Sequence, residues 1–234
     1  MEKILLSGND WEMKEFLGED WVWRNVHRRE TRDVRWWKPG SVPSSITGDL
    51  FRCGEIPDPF FEKNSLLLEW IPQRTWVYRK KFYLPETMRN TRLRLIFEGV
   101  DYECLVYVND VPVAEHRGMF TGFSCDVTEI LEPEKENLLA IVIKRAPDEE
   151  PQVSKTKYVK THKSRMTYWW DFCPRMIHLG IWKDIWLEST QEGDLREVRV
   201  RSQLSEDFSY GEITVSAQVF CFDKTPIRIQ GEVW

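Results

Sequence analysis

The sequence predicts an all-β protein, an antiparallel sandwich or jelly roll followed by part of a second sheet. Three observations carry this reading. Short runs rich in Val, Ile, Leu, Tyr and Phe recur between residues 78 and 189. Helical periodicity between them is weak. After Thr190 the pattern changes to longer alternating runs whose extent is too small to close an independent core.

In order, the predicted strands are "YRKKFYL" (78–84), "LRLIFE" (93–98), "CLVYVN" (104–109), "LLAIVIKR" (138–145) and "DIWLES" (184–189). Several alternate apolar with polar residues, as a half-exposed strand does. Asn109-Asp110 stands between "LVYV" and "VPVAEH". Both residue types tolerate positive φ, so a tight hairpin turn is expected there. Short helical turns are expected at 46–53, "ITGDLFRC", and at 127–131, "VTEIL". Residues 146–164 are charged and aperiodic and read as a long loop, the kind that often carries function. "GDLREVRVRS" and "GEITVSAQVFCF" look like two strands of a new sheet, and "IRIQGEVW" is still strand-like. The domain division expected is 1–190 for the sandwich and 191–234 for an incomplete second domain.

Composition narrows the function classes. A net charge of −5, with Lys and Arg scattered among acids, gives no reason to expect nucleic acid or an anionic membrane as partner. No segment approaches the length of a transmembrane helix, and the N-terminal apolar run is too short for a signal peptide. The five cysteines are odd in number and show no C-x-x-C spacing, which favours free thiols in a reducing compartment over a zinc site or a disulfide framework. A cytoplasmic protein is expected, with no cofactor and no metal. Twelve tryptophans stand out, because indoles fill cores and also pack against the C–H faces of sugar rings.

The densest ring cluster is "YWWDFCPR" (168–175), where aromatic residues bunch around one carboxylate, Asp171. A carboxylate accepting two hydrogen bonds from adjacent sugar hydroxyls, with an indole alongside, is a recognisable sugar contact. The structural alternative is that Asp171 caps a turn or pairs with Arg165 or Arg175. Pro174 restricts the backbone just after the acid.

Four stretches carry a family resemblance: "SVPSSITGDLFRCGEIPDPF" (41–60), "RTWVYRKKFYLP" (74–85), "FEGVDYECLVYVNDVPVAEHRGMFTGFSCDVTEIL" (97–131) and "YWWDFCPRMIHLGIWKDIWLE" (168–188). In this order they resemble the N-terminal part of glycoside hydrolase family 2 enzymes, closest to the β-mannosidase branch. The resemblance implies a jelly-roll sugar-binding domain, then an immunoglobulin-like domain whose start would be residues 191–234, then a (β/α)8 barrel bearing both catalytic carboxylates and lying outside this chain. It also implies that Trp170 and Asp171 contact the sugar being cleaved, a terminal β-mannoside or a related glycoside. On this reading the chain holds no catalytic residue and is inactive alone, and its cut second domain offers strand edges for a homo-oligomer. The sequence departs from the branch at Phe172 and Cys173, where the pattern Trp-Asp-Trp-Gly-Pro has Trp and Gly. A Cys in place of Gly gives up easy access to positive φ, so either the turn does not use it or the loop runs differently.

Other candidates point to structure. His116 lacks a nucleophile or acid at a recognisable spacing and is expected to make a structural hydrogen bond. Asp58, between two prolines, is expected in a rigid turn. Glu98, Asp101 and Glu103 lie close enough in sequence for a carboxylate pair, but Glu103 is expected at the surface and Asp101 in turn contacts. A stand-alone carbohydrate-binding module, or a β-galactosidase or β-glucuronidase of the same family, remains the alternative to a β-mannosidase.

Overall fold

Alternation along the strands sorts them into two sheets with one apolar layer between. The computed structural model describes residues 2–150, 156–191, 193–221 and 228–232. In chain order the elements are β1 (Glu2–Leu5), β2 (Gly8–Phe16), α1 (Asp20–Trp23), β3 (Lys38–Val42), α2 (Ile46–Arg52), β4 (Thr75–Phe82), β5 (Arg92–Phe97) and β6 (Glu103–Val108). There follow β7 (Val111–Arg117), β8 (Phe123–Asp126), β9 (Asn137–Ile143), β10 (Ile185–Thr190), β11 (Gly193–Leu204) and β12 (Gly211–Cys221). One sheet runs β1-β10-β5-β8 and the other β3-β2-β4-β9-β6-β7, with every pair of neighbours antiparallel. This is the jelly roll that the sequence predicts.

The period of two decides which residues meet. In β4, Trp76 and Tyr78 point into the layer with Leu95, Phe97, Ile141, Ile143 and Leu187. Val77 points the other way, with Val142, onto the outer face. That face is covered by Trp21 and Val26 from the connection between β2 and β3. Both faces of β9 are therefore buried, which explains why "LLAIVI" reads as an unbroken apolar run.

The hairpin turn between β6 and β7 forms as expected, with φ of 48° at Asn109 and 72° at Asp110. Asn109 does more than turn the chain. Its Oδ1 accepts from the Leu138 amide at 2.9 Å, and its Nδ2 donates to Ile130 O at 2.9 Å and Asn137 Oδ1 at 2.7 Å. The helical turn expected near 46 is α2, capped by Ser45, whose hydroxyl accepts from the Gly48 amide. Asp49 of α2 is buried, accepts from Tyr78 Oη at 2.8 Å and pairs with Arg52.

The short helical turn expected at 127–131 forms as a single turn closed on Val127 O by the Ile130 and Leu131 amides, both at 3.1 Å. Two expectations need correction. Residues 228–232 of "IRIQGEVW" form no strand; Pro226, Ile227, Val233 and Trp234 lie outside the described residues. Asp101 is more than a turn residue, as the site geometry shows. β11 and β12 do form, as an antiparallel pair of their own with a register shift between Arg196 and Arg199. Asp194 ties β11 to the sandwich through Arg94 at 3.2 Å, and beyond it the pair is exposed on both faces.

Candidate functional site

The register gathers several loops at one end of the six-stranded sheet. Phe16 pairs with Thr75, Trp76 with Ile143, Ile143 with Cys104, and Glu103 with Arg117. Connections 98–102, 118–122 and 144–184 leave from this end, and they return to the Phe97–Phe123–Ile185 end of the other sheet. The longest of them carries "YWWDFCPR".

That connection is strapped down by buried charge. Lys163 Nζ lies 2.5 Å from both carboxylate oxygens of Asp101 and 2.6 Å from His178 O, with side-chain exposures of 0% and 2% for the pair. Burial pushes the Asp101 carboxyl up and the Lys163 ammonium down, since each charge has left water. The His178 ring is pushed down by burial and then by the neighbouring Lys163 charge. The backbone joins in: Asp101 and Gly180 exchange amide bonds at 2.8 and 3.0 Å. A second clamp holds Glu150 to Arg165, to the Thr161 hydroxyl at 2.8 Å and to the Lys160 and Thr161 amides. Burial opposes ionisation of Glu150, yet Arg165 and these donors hold its carboxyl down at about 2.

Residues 167–176 form a narrow finger above these clamps. Its base is the Met176 amide donating to Thr167 O at 2.9 Å. Arg175 Nη1 donates to Tyr168 O at 2.9 Å while the same guanidinium pairs with Glu69 at 3.0 Å and Glu149 at 2.7 Å. Nearer the tip, Trp170 and Cys173 form an isolated bridge, which leaves Asp171 and Phe172 at the turn. Tyr168 is buried, and its hydroxyl donates to Pro147 O at 2.6 Å.

The rings therefore divide. Tyr168 anchors the base, Trp170 is half-buried beside Phe172 at 6.3 Å between ring centres, and Trp169 and Phe172 face solvent. Asp171 is exposed and has no hydrogen bond or ion pair among the described residues. Arg165 and Arg175, the two cations nearest in sequence, are spent on Glu150, Glu69 and Glu149. The left-handed backbone falls at Trp169, with φ of 142°, and not at Cys173, so the turn does not use glycine freedom at that position. Cys173 instead donates its thiol to Met166 O at 3.1 Å.

The remaining sequence candidates have structural work. His116 Nε2 is 3.0 Å from Gly118 O, and its ring stacks on Phe123. Asp58 Oδ1 accepts from the Phe60 amide in a turn. Glu98 accepts from Trp186 Nε1, and Glu103 pairs with Lys144 at 2.9 Å. Asp101 goes to Lys163, so these three acids form no catalytic pair. Among the described residues no group of His, Cys, Asp and Glu could hold a metal ion, and no helix is long and apolar enough to cross a membrane.

A two-sheet jelly roll with a braced finger of rings and an unpaired acid at one end defines a galactose-binding-like domain. The chain belongs to the glycosyl hydrolase 2 galactose-binding domain-like family, whose model matches residues 7–183. It is 28% identical over 216 residues to the β-mannosidase B of Emericella nidulans, covering 87% of this chain and 25% of that protein. The β-mannosidase of Mus musculus is 28% identical over 169 residues, covering 64% and 19%. Among solved structures, the β-D-mannosidase from Dictyoglomus thermophilum superposes with a TM-score of 0.76 at 25% identity, over 94% of this chain and 26% of that one. A β-glucuronidase from Ruminococcus gnavus shares the fold, with a TM-score of 0.64 at 16% identity over 93% and 34%. The chain spans about a quarter of the length of the curated β-mannosidases it matches.

Proposed function

We propose that this chain is the sugar-binding part of a retaining exo-β-mannosidase that removes terminal β-D-mannosyl residues. The acid and nucleophile of that reaction are supplied from outside the chain. Asp171 accepts hydrogen bonds from two adjacent hydroxyls of the terminal sugar, and Trp170 packs on the ring's apolar face. One observation carries the reading: Asp171 is exposed at the tip of a braced finger while Arg165 and Arg175, the two cations nearest to it in sequence, are already engaged. An acid kept unpaired on a rigid support is pre-organised for a ligand.

The full-length protein carrying this chain is the test, assayed with aryl β-D-mannoside, β-D-galactoside and β-D-glucuronide. The mannoside should be turned over fastest. Asp171→Ala should lower kcat/KM by about thirtyfold to a thousandfold, the scale of about 2–4 kcal/mol for losing a buried charge-assisted contact. The melting temperature should stay put. A lower melting temperature with normal kinetics would return Asp171 to a structural role.

In the same proposal β11 and β12 begin an immunoglobulin-like sandwich after residue 190, and the protein works in the cytoplasm. The exposed edges of that pair are also where a second copy would attach, which light scattering of the chain would reveal.

A further inference from the structure

β2 and β3 are antiparallel neighbours, and such neighbours are commonly joined by a few residues. Here the connection takes residues 17–37. Part of it has a structural task. Trp21 and Val26 cover the outer face of the six-stranded sheet, and Trp37 packs beside them with its Nε1 donating to Asp33 O at 2.9 Å. The rest turns outward. Trp23 is 83% exposed and Trp36 is 80% exposed, and both line an open cleft of about 480 Å³.

The floor of the cleft is a fixed ion pair. Lys14 donates to the Asp33 carboxylate and to Arg35 O at 2.9 Å, and Arg24 reaches the second Asp33 oxygen at 3.2 Å. Lys14 and Asp33 are 9% and 8% exposed at their side chains. Arg32 and Arg35 also line the cleft, and neither guanidinium meets a carboxylate among the described residues. Glu30 and Asp33 are the acids of the lining, against Lys14, Arg24, Arg32 and Arg35, so positive charge is in excess around two bare indoles. Trp36 adds an independent sign. Its φ is 66°, a left-handed conformation that a bulky side chain rarely adopts. The twist sends Trp36 out to solvent while Trp37 packs inward. Burial cannot offset that strain, because the ring is not buried, and strain of this kind collects at binding sites.

We infer that this cleft binds an acidic glycan, an oligosaccharide whose sugars carry carboxylates. Indole faces take pyranose C–H faces, and guanidinium forks take carboxylates in a bidentate manner. A protein partner fits less well, since the core of a protein interface is depleted of charge, whereas fixed charges form this floor.

The test uses the intact chain, titrated calorimetrically with oligogalacturonate, oligomannuronate and neutral manno-oligosaccharide of equal length. Saturable binding is expected for at least one of the uronates and at least tenfold weaker binding for the neutral chain. Trp23→Ala and Trp36→Ala should each weaken uronate binding tenfold or more, and Arg32→Gln with Arg35→Gln should remove the preference for acid. All three variants change exposed groups and should melt with the wild type. Binding of neither uronate, equal binding of the neutral sugar, or binding that survives both tryptophan substitutions would overturn the inference. So would a tryptophan-dependent dimer that binds no sugar.

Discussion

Lys163→Met tests what holds the finger in place. Methionine keeps most of the side-chain volume and removes the charge. The wild-type ammonium makes two contacts to Asp101 and one to His178 O, with no exposed surface on the lysine side chain. Removing one partner of a buried pair strands the other, at a cost of about 3–5 kcal/mol. For a domain of this size that is a fall in melting temperature of roughly 6–20 °C. The deficit should depend on pH, with a definite sign. Burial already raises the Asp101 carboxyl with Lys163 present, and losing the cation raises it further. The folded variant then holds a proton that the unfolded chain releases above about pH 4. That contribution is complete below the unfolded pKa and is lost as pH rises through the folded one, by up to about 1.4 kcal/mol per pH unit. Melting curves of wild type and variant should therefore lie closest near the ordinary carboxyl pKa of about 4 and diverge as pH rises above it. A second variant, Lys163→Met with Asp101→Leu, removes both charges and should recover much of the loss, because a buried pair contributes little beyond its apolar replacement. A single variant within about 1 kcal/mol of wild type would refute the reasoning. So would a deficit that ignores pH, or a double variant no better than the single.

Two further predictions concern the same loop. Gly180→Ala should destabilise the fold strongly. Its φ is 146°, and an added Cβ would sit 2.6 Å from Ser44 O and 2.9 Å from Ser45 Cα, both backbone atoms that cannot swing aside; a variant that melts with wild type would be inconsistent with this packing. Glu150 should make the loop sensitive to acid. Its folded pKa of about 2 lies below the ordinary 4.5, so its stabilisation is present above 4.5 and is lost as pH falls toward 2. Because Glu150 is partly exposed, the effect should be about 1 kcal/mol. The melting advantage of wild type over Glu150→Gln should shrink across that window, and a constant difference would refute the assignment.

The strands that were legible in the sequence are those whose partners share a face. Leu93, Leu95 and Phe97 alternate inward, and so do Cys104, Val106 and Val108. Such a pattern needs no knowledge of the neighbour, because the pleat alone sets it. β1 and β2 were harder to see. β1 is an edge strand with hardly a buried residue, and β2 buries Trp11, Met13 and Phe16 among charged residues, with even Lys14 buried against Asp33. Residues 17–37 are laid on the outer face by scattered contacts from Trp21 and Val26, an arrangement with no period to read in sequence.

The finger shows the same division at the level of chemistry. That Asp171 sits among rings is visible in eight residues of sequence, and the family motif adds Trp170. That Asp171 is unpaired could not be read there. Arg165 and Arg175 lie six and four residues away and look like its natural partners. Their engagement depends on Glu150, Glu149 and Glu69, and the last of these is 106 positions before Arg175. The brace beneath, Asp101 with Lys163, spans 62 positions. Local sequence shows which groups could make a site; the long-range ion pairs determine which stays free. Here three acids neutralise the two arginines beside the finger and a lysine neutralises Asp101, and the carboxylate at the tip has no such partner among the described residues. A loop held by charge pairs can still present an unpaired charge when the arginines flanking the tip are engaged below it. For that reason Asp171→Asn, which keeps shape and removes charge, should leave the fold intact and weaken sugar recognition in the full-length protein. Arg175→Gln should do both kinds of damage, lowering the melting temperature by freeing Glu69 and Glu149 and raising KM by loosening the finger. Equal melting curves and equal KM for the two variants would show that the brace and the tip are not divided in this way.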